Sequence, residues 1–198
     1  YDCDELTNVC FHSEITSIYD YSFYSCGNLE NVDLPESLID IGSYAFYNCT
    51  SFTQIIIPDK VTTINSSAFR DCINVGKIVI GESVTTINGY AFSGCTNTTD
   101  IYLGKSLKTI ATHAFSSLTK IQQIIVPDNV TTIENGAFYG CSSLKEISLP
   151  FVGKSRTAVG GEATFGYIFG YTTEILDTYS SSSYKGLFNG LNTTLVGY

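Results

Sequence analysis

A phenylalanine returns every 23 residues in this chain, at Phe23, Phe46, Phe69, Phe92, Phe115 and Phe138, with no slip. A cysteine follows three residues later at Cys26, Cys49, Cys72, Cys95 and Cys141, and only Leu118 breaks that row. A strict period of this length means a solenoid, because each repeat is one structural unit that buries its apolar side only by stacking on its neighbours.

The rest of the repeat reads in the same phase. Nine residues after each phenylalanine stand Val32, Ile55, Ile78, Ile101, Ile124 and Ile147, and eleven after stand Leu34, Ile57, Ile80, Leu103, Val126 and Leu149. A spacing of two is the strand period, so both rows face one side. Proline or glycine follows at Pro35, Pro58, Gly81, Gly104, Pro127 and Pro150, and proline ends a strand because it cannot donate to a ladder. A second apolar pair comes next, as in Val61 and Ile64 or Val130 and Ile133, with β-branched threonines between its members that suit a short extended segment. Three residues before each phenylalanine lie Asp20, Ser43, Ser66, Gly89, Thr112 and Asn135. Most are good N-cap residues, so a single α or 3-10 turn is expected to carry the Ala-Phe-x-x-Cys stretch inward.

These residues resemble the BspA-type leucine-rich repeats, a family of bacterial cell-surface repeat proteins. Leu29-x-x-Val32-x-Leu34 and Leu144-x-x-Ile147-x-Leu149 carry the general leucine-rich signature. The proline-ended strand, the Val-Thr-x-Ile element and the Ala-Phe-x-x-Cys turn carry the family-specific part, and all three occur between Pro58 and Cys72. The resemblance covers residues 3 to 150. It implies an α/β repeat solenoid, a right-handed leucine-rich-repeat superhelix whose 23-residue repeats each hold a strand, a short extended segment and a helical turn. It further implies a secreted or surface-anchored binding or adhesion protein, with no catalytic residues to carry over. The usual asparagine-ladder position reads Ser37, Lys60, Ser83, Ser106 and Asn129, so that ladder is not expected.

Residues 1–150 read as the array, a truncated first repeat followed by six phenylalanine-centred ones. Cys3, Leu6, Val9 and Phe11 are already in phase, so the sequence begins in mid-repeat and reads as a piece of a longer chain. Residues 151–198 read as a degenerate repeat, an insert or a C-terminal cap. Phe165 and Phe188 are again 23 apart after a four-residue slip, and Ile168 and Leu191 would then take the cysteine place.

The net charge of −9 argues against nucleic acid or an anionic membrane surface as partner, and no apolar run approaches a membrane span. Seven cysteines invite a disulfide reading. Six of them recur at one structural position, which fits a row of small buried thiols better than a disulfide framework. Cys10 alternates with Val9 and Phe11 and faces outward, either as a thiol or paired with Cys3 or an upstream repeat. No Cys-x-x-Cys pair or convergent histidines suggest a metal, and no cofactor is expected. His12 and His113 lie about four repeats apart, and no nucleophile or phosphate-loop motif appears, so no catalytic residue is assigned. Glu36, Asp59, Glu82 and Asp128 recur just after the strand and read as a solvated acidic edge.

The outward strand position is more informative. Between the two inward residues stand Cys10, Asp33, Ile56, Val79, Tyr102, Ile125 and Ser148. The middle four are apolar, whereas Gln54, Lys77, Asp100 and Gln123 flank them. An apolar stripe with a polar rim marks an interaction surface. Ile56, Val79, Tyr102 and Ile125 are therefore the candidate binding residues, with a protein partner expected, host or extracellular-matrix proteins among the candidates. A passive spacer within a larger surface protein is the alternative reading. Tyr19, Tyr21, Tyr24, Tyr44 and Tyr47 form a second cluster at the turns, where tyrosine would anchor a protein or stack on a glycan.

Overall fold

The 23-residue period becomes a parallel β-solenoid of about six turns. The computed structural model describes residues 3–30, 32–160 and 165–170, with the backbone of 192–195. Two strand rows run along the array. The Val-Thr-x-Ile elements give β1 (Ser17–Ile18), β2 (Asp40–Ile41), β4 (Thr63–Ile64), β6 (Thr86–Ile87), β8 (Thr109–Ile110) and β10 (Thr132–Ile133). They pair in that order into one parallel sheet, with Ile18 opposite Ile41, Ile41 opposite Ile64 and so on, one repeat per step. The leucine-rich segments give β3 (Gln54–Ile56), β5 (Lys77–Val79), β7 (Asp100–Tyr102), β9 (Gln123–Ile125) and β11 (Glu146–Leu149). Here the pairing is parallel but interrupted: β3, β5 and β7 form one sheet, and β9, β11 and β12 (Asn192–Leu195) another.

The inward rows are the core. Phe46, Phe69, Phe92, Phe115 and Phe138 are fully buried, and their rings stack nearly parallel at centroid spacings of 5.2 to 6.0 Å. Ile55, Ile57, Ile78, Ile80, Ile124 and Val126 are buried as the strand period requires.

The expected helical turn is not there. In every repeat the residue two before the phenylalanine adopts a left-handed conformation, as at Tyr21, Tyr44, Ser67, Tyr90, His113 and Gly136, with φ between 55° and 65°. The residue two after it does the same at Ser25, Asn48, Asp71, Gly94, Ser117 and Gly140. A left-handed residue every fourth position interrupts any helix and leaves a chain of β-turns. Alternate N–H groups then point to the next repeat: Tyr44 donates to the Ser66 carbonyl at 3.0 Å, Phe46 to Ala68 at 2.8 Å and Asn48 to Arg70 at 2.8 Å. The strained backbone at each step is held by these inter-repeat bonds. The residues read as N-caps serve the stack as well: the Asp20 carboxylate accepts the Ser43 N–H at 2.7 Å. Beyond the array, Phe165–Phe169 forms a 3-10 helix.

Beyond the array, Phe169, not Phe165, takes the next phenylalanine place. The Phe138 N–H donates to the Ile168 carbonyl at 2.9 Å, and the Phe169 ring lies 6.4 Å from that of Phe138, tilted by 48°. Ile168 therefore occupies the slot held by Ala137 one turn earlier, not a cysteine slot. Phe188 and Leu191 lie outside the described residues.

Candidate functional site

The strand face is built by alternation. Because Ile55 and Ile57 point inward, Ile56 must point out, and the same rule places Val79, Tyr102 and Ile125. Ile56 is 51% exposed, Tyr102 57% and Ile125 62%, while Val79 is half-buried between its neighbours. Gln54, Lys77, Asp100 and Gln123 stand exposed beside them. The Lys77 ammonium lies 5.6 Å from the centroid of the Tyr102 ring, a cation–π contact that joins β5 to β7 across the face.

The stripe is not continuous. Between β7 and β9 the strand ladder is broken and a cleft of ≈ 520 Å³ opens, with Tyr102, Leu103, Ile125 and Pro127 among its walls. A smaller hollow of ≈ 210 Å³ lies near Leu34, Ile56 and Pro58.

Behind the face, the cysteine row does more than fill space. Sγ of Cys49, Cys72, Cys95 and Cys141 donates to the carbonyl of Phe23, Phe46, Phe69 and Phe115 respectively, at 3.2 to 3.3 Å. Each thiol thus fastens its repeat to the one before it. Burial pushes the Cys49 and Cys141 thiols up to about 12 and that of Cys72 well above its ordinary range, which keeps the donor protonated. No disulfide joins any of the seven cysteines, all of which lie among the described residues.

A second row of fasteners went unread in the sequence. Five residues after the phenylalanine, Asn28 donates to the Asp4 carbonyl at 2.7 Å, Ser51 to Gly27 at 2.7 Å and Asn74 to Thr50 at 2.9 Å, and Asn97 bonds the Asn74 side chain at 3.0 Å. At the position where a ladder was not expected, Asn129 alone donates an amide, to the Lys105 carbonyl at 2.8 Å. The only sequence signal was the recurrence of asparagine or serine in phase. The acidic row also turns out to be partly structural. Asp59 accepts the Glu82 N–H at 2.8 Å and Glu82 accepts the Lys105 N–H at 3.1 Å.

The tyrosine cluster is a ribbon of stacked rings. Tyr21 lies on Tyr44 at 5.0 Å, Tyr24 on Tyr47 at 4.8 Å and Tyr90 on His113 at 5.0 Å. The Arg70 guanidinium bridges the gap between the Tyr47 and Tyr90 rings at 5.9 and 5.3 Å. Those stacked faces cover one another, so the ribbon offers edges to solvent and few platforms for sugar stacking. Tyr19, 77% exposed, stands apart from the stack. His12 is exposed and His113 sits within the ribbon, so the structure does not bring the two histidines together.

Among the described residues no group of three or more His, Cys, Asp or Glu is placed to hold a metal ion, and no helix is long and apolar enough to cross a membrane.

Stacked 23-residue rungs, a proline-ended strand and an apolar outward stripe define a leucine-rich-repeat solenoid. The chain belongs to the BspA-type leucine-rich repeat family: the profile described as "BspA type Leucine rich repeat region" matches six copies over residues 1–98 and 63–162. No curated protein matches the sequence. Among solved structures, the leucine-rich repeat protein of T. pallidum is similar at 25% identity and a TM-score of 0.68, covering 98% of this chain and 88% of that one. A leucine-rich repeat protein from Eubacterium ventriosum is 28% identical with a TM-score of 0.64, covering 81% of this chain and 40% of its own. One from Bacteroides ovatus is 26% identical with a TM-score of 0.58, covering 78% and 46%. The chain thus spans less than half the length of these last two proteins.

Proposed function

We propose that this chain is a non-enzymatic binding or adhesion module of a secreted or cell-surface bacterial protein, and that it engages a protein partner through the exposed strand face. The observation that carries this reading is the exposure of Ile56, Tyr102 and Ile125 on a face otherwise lined by Gln54, Lys77, Asp100 and Gln123. Apolar side chains held rigidly outward on a sheet lose little freedom when a partner covers them, and each such side chain buried contributes about 1.5–3 kcal/mol before association costs. The array supplies rigidity, because its rungs are tied to one another through the continuous β1-to-β10 sheet and the turn bonds, and four of them through thiols as well. The stretch 151–198 then serves as a degenerate repeat, an insert or a C-terminal cap, a reading supported by Phe169 on Phe138 and by β12 beside β11.

A structural spacer that displays other domains is the second reading, favoured by the same rigidity. The two are separated by measuring the chain against a panel of immobilised extracellular-matrix and serum proteins. A binder retains at least one member of the panel and loses it when Val79→Asp and Tyr102→Ser are combined. A spacer retains none. Binding that survives the double variant but falls with Tyr21→Ser and Tyr44→Ser moves the site to the tyrosine ribbon.

A further inference from the structure

The strand face is paired through β3, β5 and β7 and again through β9 and β11, but no ladder joins β7 to β9. At the end of each strand, the Ile57, Ile80 and Val126 N–H groups donate to Val79, Tyr102 and Ser148 of the next repeat. Among the described residues the equivalent Leu103 N–H has no main-chain acceptor, and neither Gln122 nor Gln123 reaches back to Thr99 as Thr99 and Asp100 reach back to Gly76. Two strand edges therefore face each other without a shared ladder, and among the described residues the Leu103 N–H is left without a main-chain partner, a costly state for partly buried backbone. The apolar residues behind them are uncovered too. Ile101 and Leu103 are half-buried, whereas Ile55, Ile57, Ile78, Ile80, Ile124 and Val126 are 0 to 3% exposed.

The sequence supplies a local reason. At this junction alone Leu118 replaces the cysteine, so the Phe92 carbonyl receives no thiol, and Lys120 replaces the asparagine or serine whose side chain bonds the preceding repeat. The thiol bond and the asparagine-or-serine bond are thus both missing here, although Ser116 to Ser93 at 2.8 Å, Thr119 to Thr96 at 3.1 Å and Asn129 to Lys105 at 2.8 Å still cross the junction, and a larger side chain fills the cysteine slot. The rim of the resulting cleft carries the Asp100 and Glu82 carboxylates beside Lys105.

We propose that this cleft between β7 and β9 receives an extended peptide segment that carries a branched aliphatic side chain and, next to it, a lysine or arginine. The proposal rests on the strand-face reading above and locates its centre. Two strand edges without a shared ladder call for a ligand with its own alternating main-chain donors and acceptors, as in strand addition. An extended peptide has them, and an acyl chain has none. Ile101, Leu103, Ile125 and Tyr102 wall a pocket suited to an aliphatic group. The acidic rim, on a chain of net charge −9, complements a basic neighbour.

The test uses the whole chain and a phage-displayed library of linear peptides as the probe. The expected result is enrichment of peptides with an aliphatic residue beside a basic one. Their binding should fall about tenfold or more in Ile125→Asp, and equally in Leu118→Cys combined with Lys120→Asn, which restores both fasteners and closes the cleft. Hydrogen exchange at the Leu103 and Gln123 amides should slow when such a peptide binds the parent, and should already be slow in the closed variant without peptide. Should the closed variant fail to fold or to close by that measure, Ile125→Asp and the parent's exchange decide. No enrichment, or peptides that bind without protecting Leu103 and Gln123, overturns the proposal. Binding kept in Ile125→Asp and in the closed variant but lost in Ile56→Asp overturns the cleft while leaving the strand-face reading standing. Binding unaffected by all three removes both.

Discussion

Replacing Phe69 with alanine is the sharpest probe of how the array holds together. Its ring is buried and stacked between Phe46 at 5.2 Å and Phe92 at 5.5 Å, both nearly parallel to it. Truncation of a buried phenylalanine costs about 3–5 kcal/mol through lost transfer energy and the cavity left behind. Collapse of the neighbours cannot relieve much of this, because each ring is fixed by its own rung and by the Cys72 and Cys95 thiols on either side. For a chain of this length each kcal/mol moves the melting temperature by about 2–4 °C, so a fall of about 6–20 °C is expected. Circular dichroism during a thermal ramp reads it. Phe23 is the internal control: it is only half-buried, stacking on Phe46 at 5.2 Å and meeting Phe11 edge-on at 5.9 Å, so Phe23→Ala should cost less. A Phe69→Ala melt within about 2 °C of the parent, or one milder than Phe23→Ala, would refute the stacked-core account.

The thiol row predicts an alkaline limit to stability. The folded state holds Cys49 and Cys141 near 12 and Cys72 and Cys95 well above 9.0, so between pH 9 and these values the folded chain binds more protons than the unfolded one. Stability contributed by the protonated thiols is whole below the unfolded value and is lost as pH rises above it, by about 1.4 kcal/mol per pH unit for each thiol. Melts at pH 8 and pH 10 should differ strongly, and Cys72→Ala with Cys95→Ala should flatten the difference. Identical slopes in parent and variant would remove the buried-thiol explanation. Reductant, by contrast, should leave the melting temperature unchanged, since the seven cysteines form no disulfide; a large fall would mean that a bridge forms in solution.

Much of this was legible in the sequence. The period fixed the rung, and two-residue spacing sorted Ile55 and Ile57 inward from Ile56 outward, as burial shows. The turn was not legible. Tyr21, Tyr44 and Tyr90 are bulky residues in the left-handed region, where an L side chain is disfavoured, and only Gly94, Gly136 and Gly140 hinted at it. Their conformation is imposed by bonds to the next repeat, which no single-repeat propensity reports. The phase of the 151–170 segment was misjudged because Phe165 obeys the spacing while Phe169 makes the contact. The stripe's position could be read, but its split could not. Leu118 was visible as a departure from the cysteine row, but that departure alone did not tell that strand pairing stops between β7 and β9.

The central claim, that the outward stripe binds and does not merely fill the fold, comes down to one comparison. Val79→Asp with Tyr102→Ser removes two outward side chains and no core contact, so its melting temperature should stay within about 4 °C of the parent while retention on the extracellular protein that the parent binds is abolished. A variant that unfolds would show the stripe to be internal packing. A variant that folds and binds as tightly as the parent would contradict the account and place the site off this face.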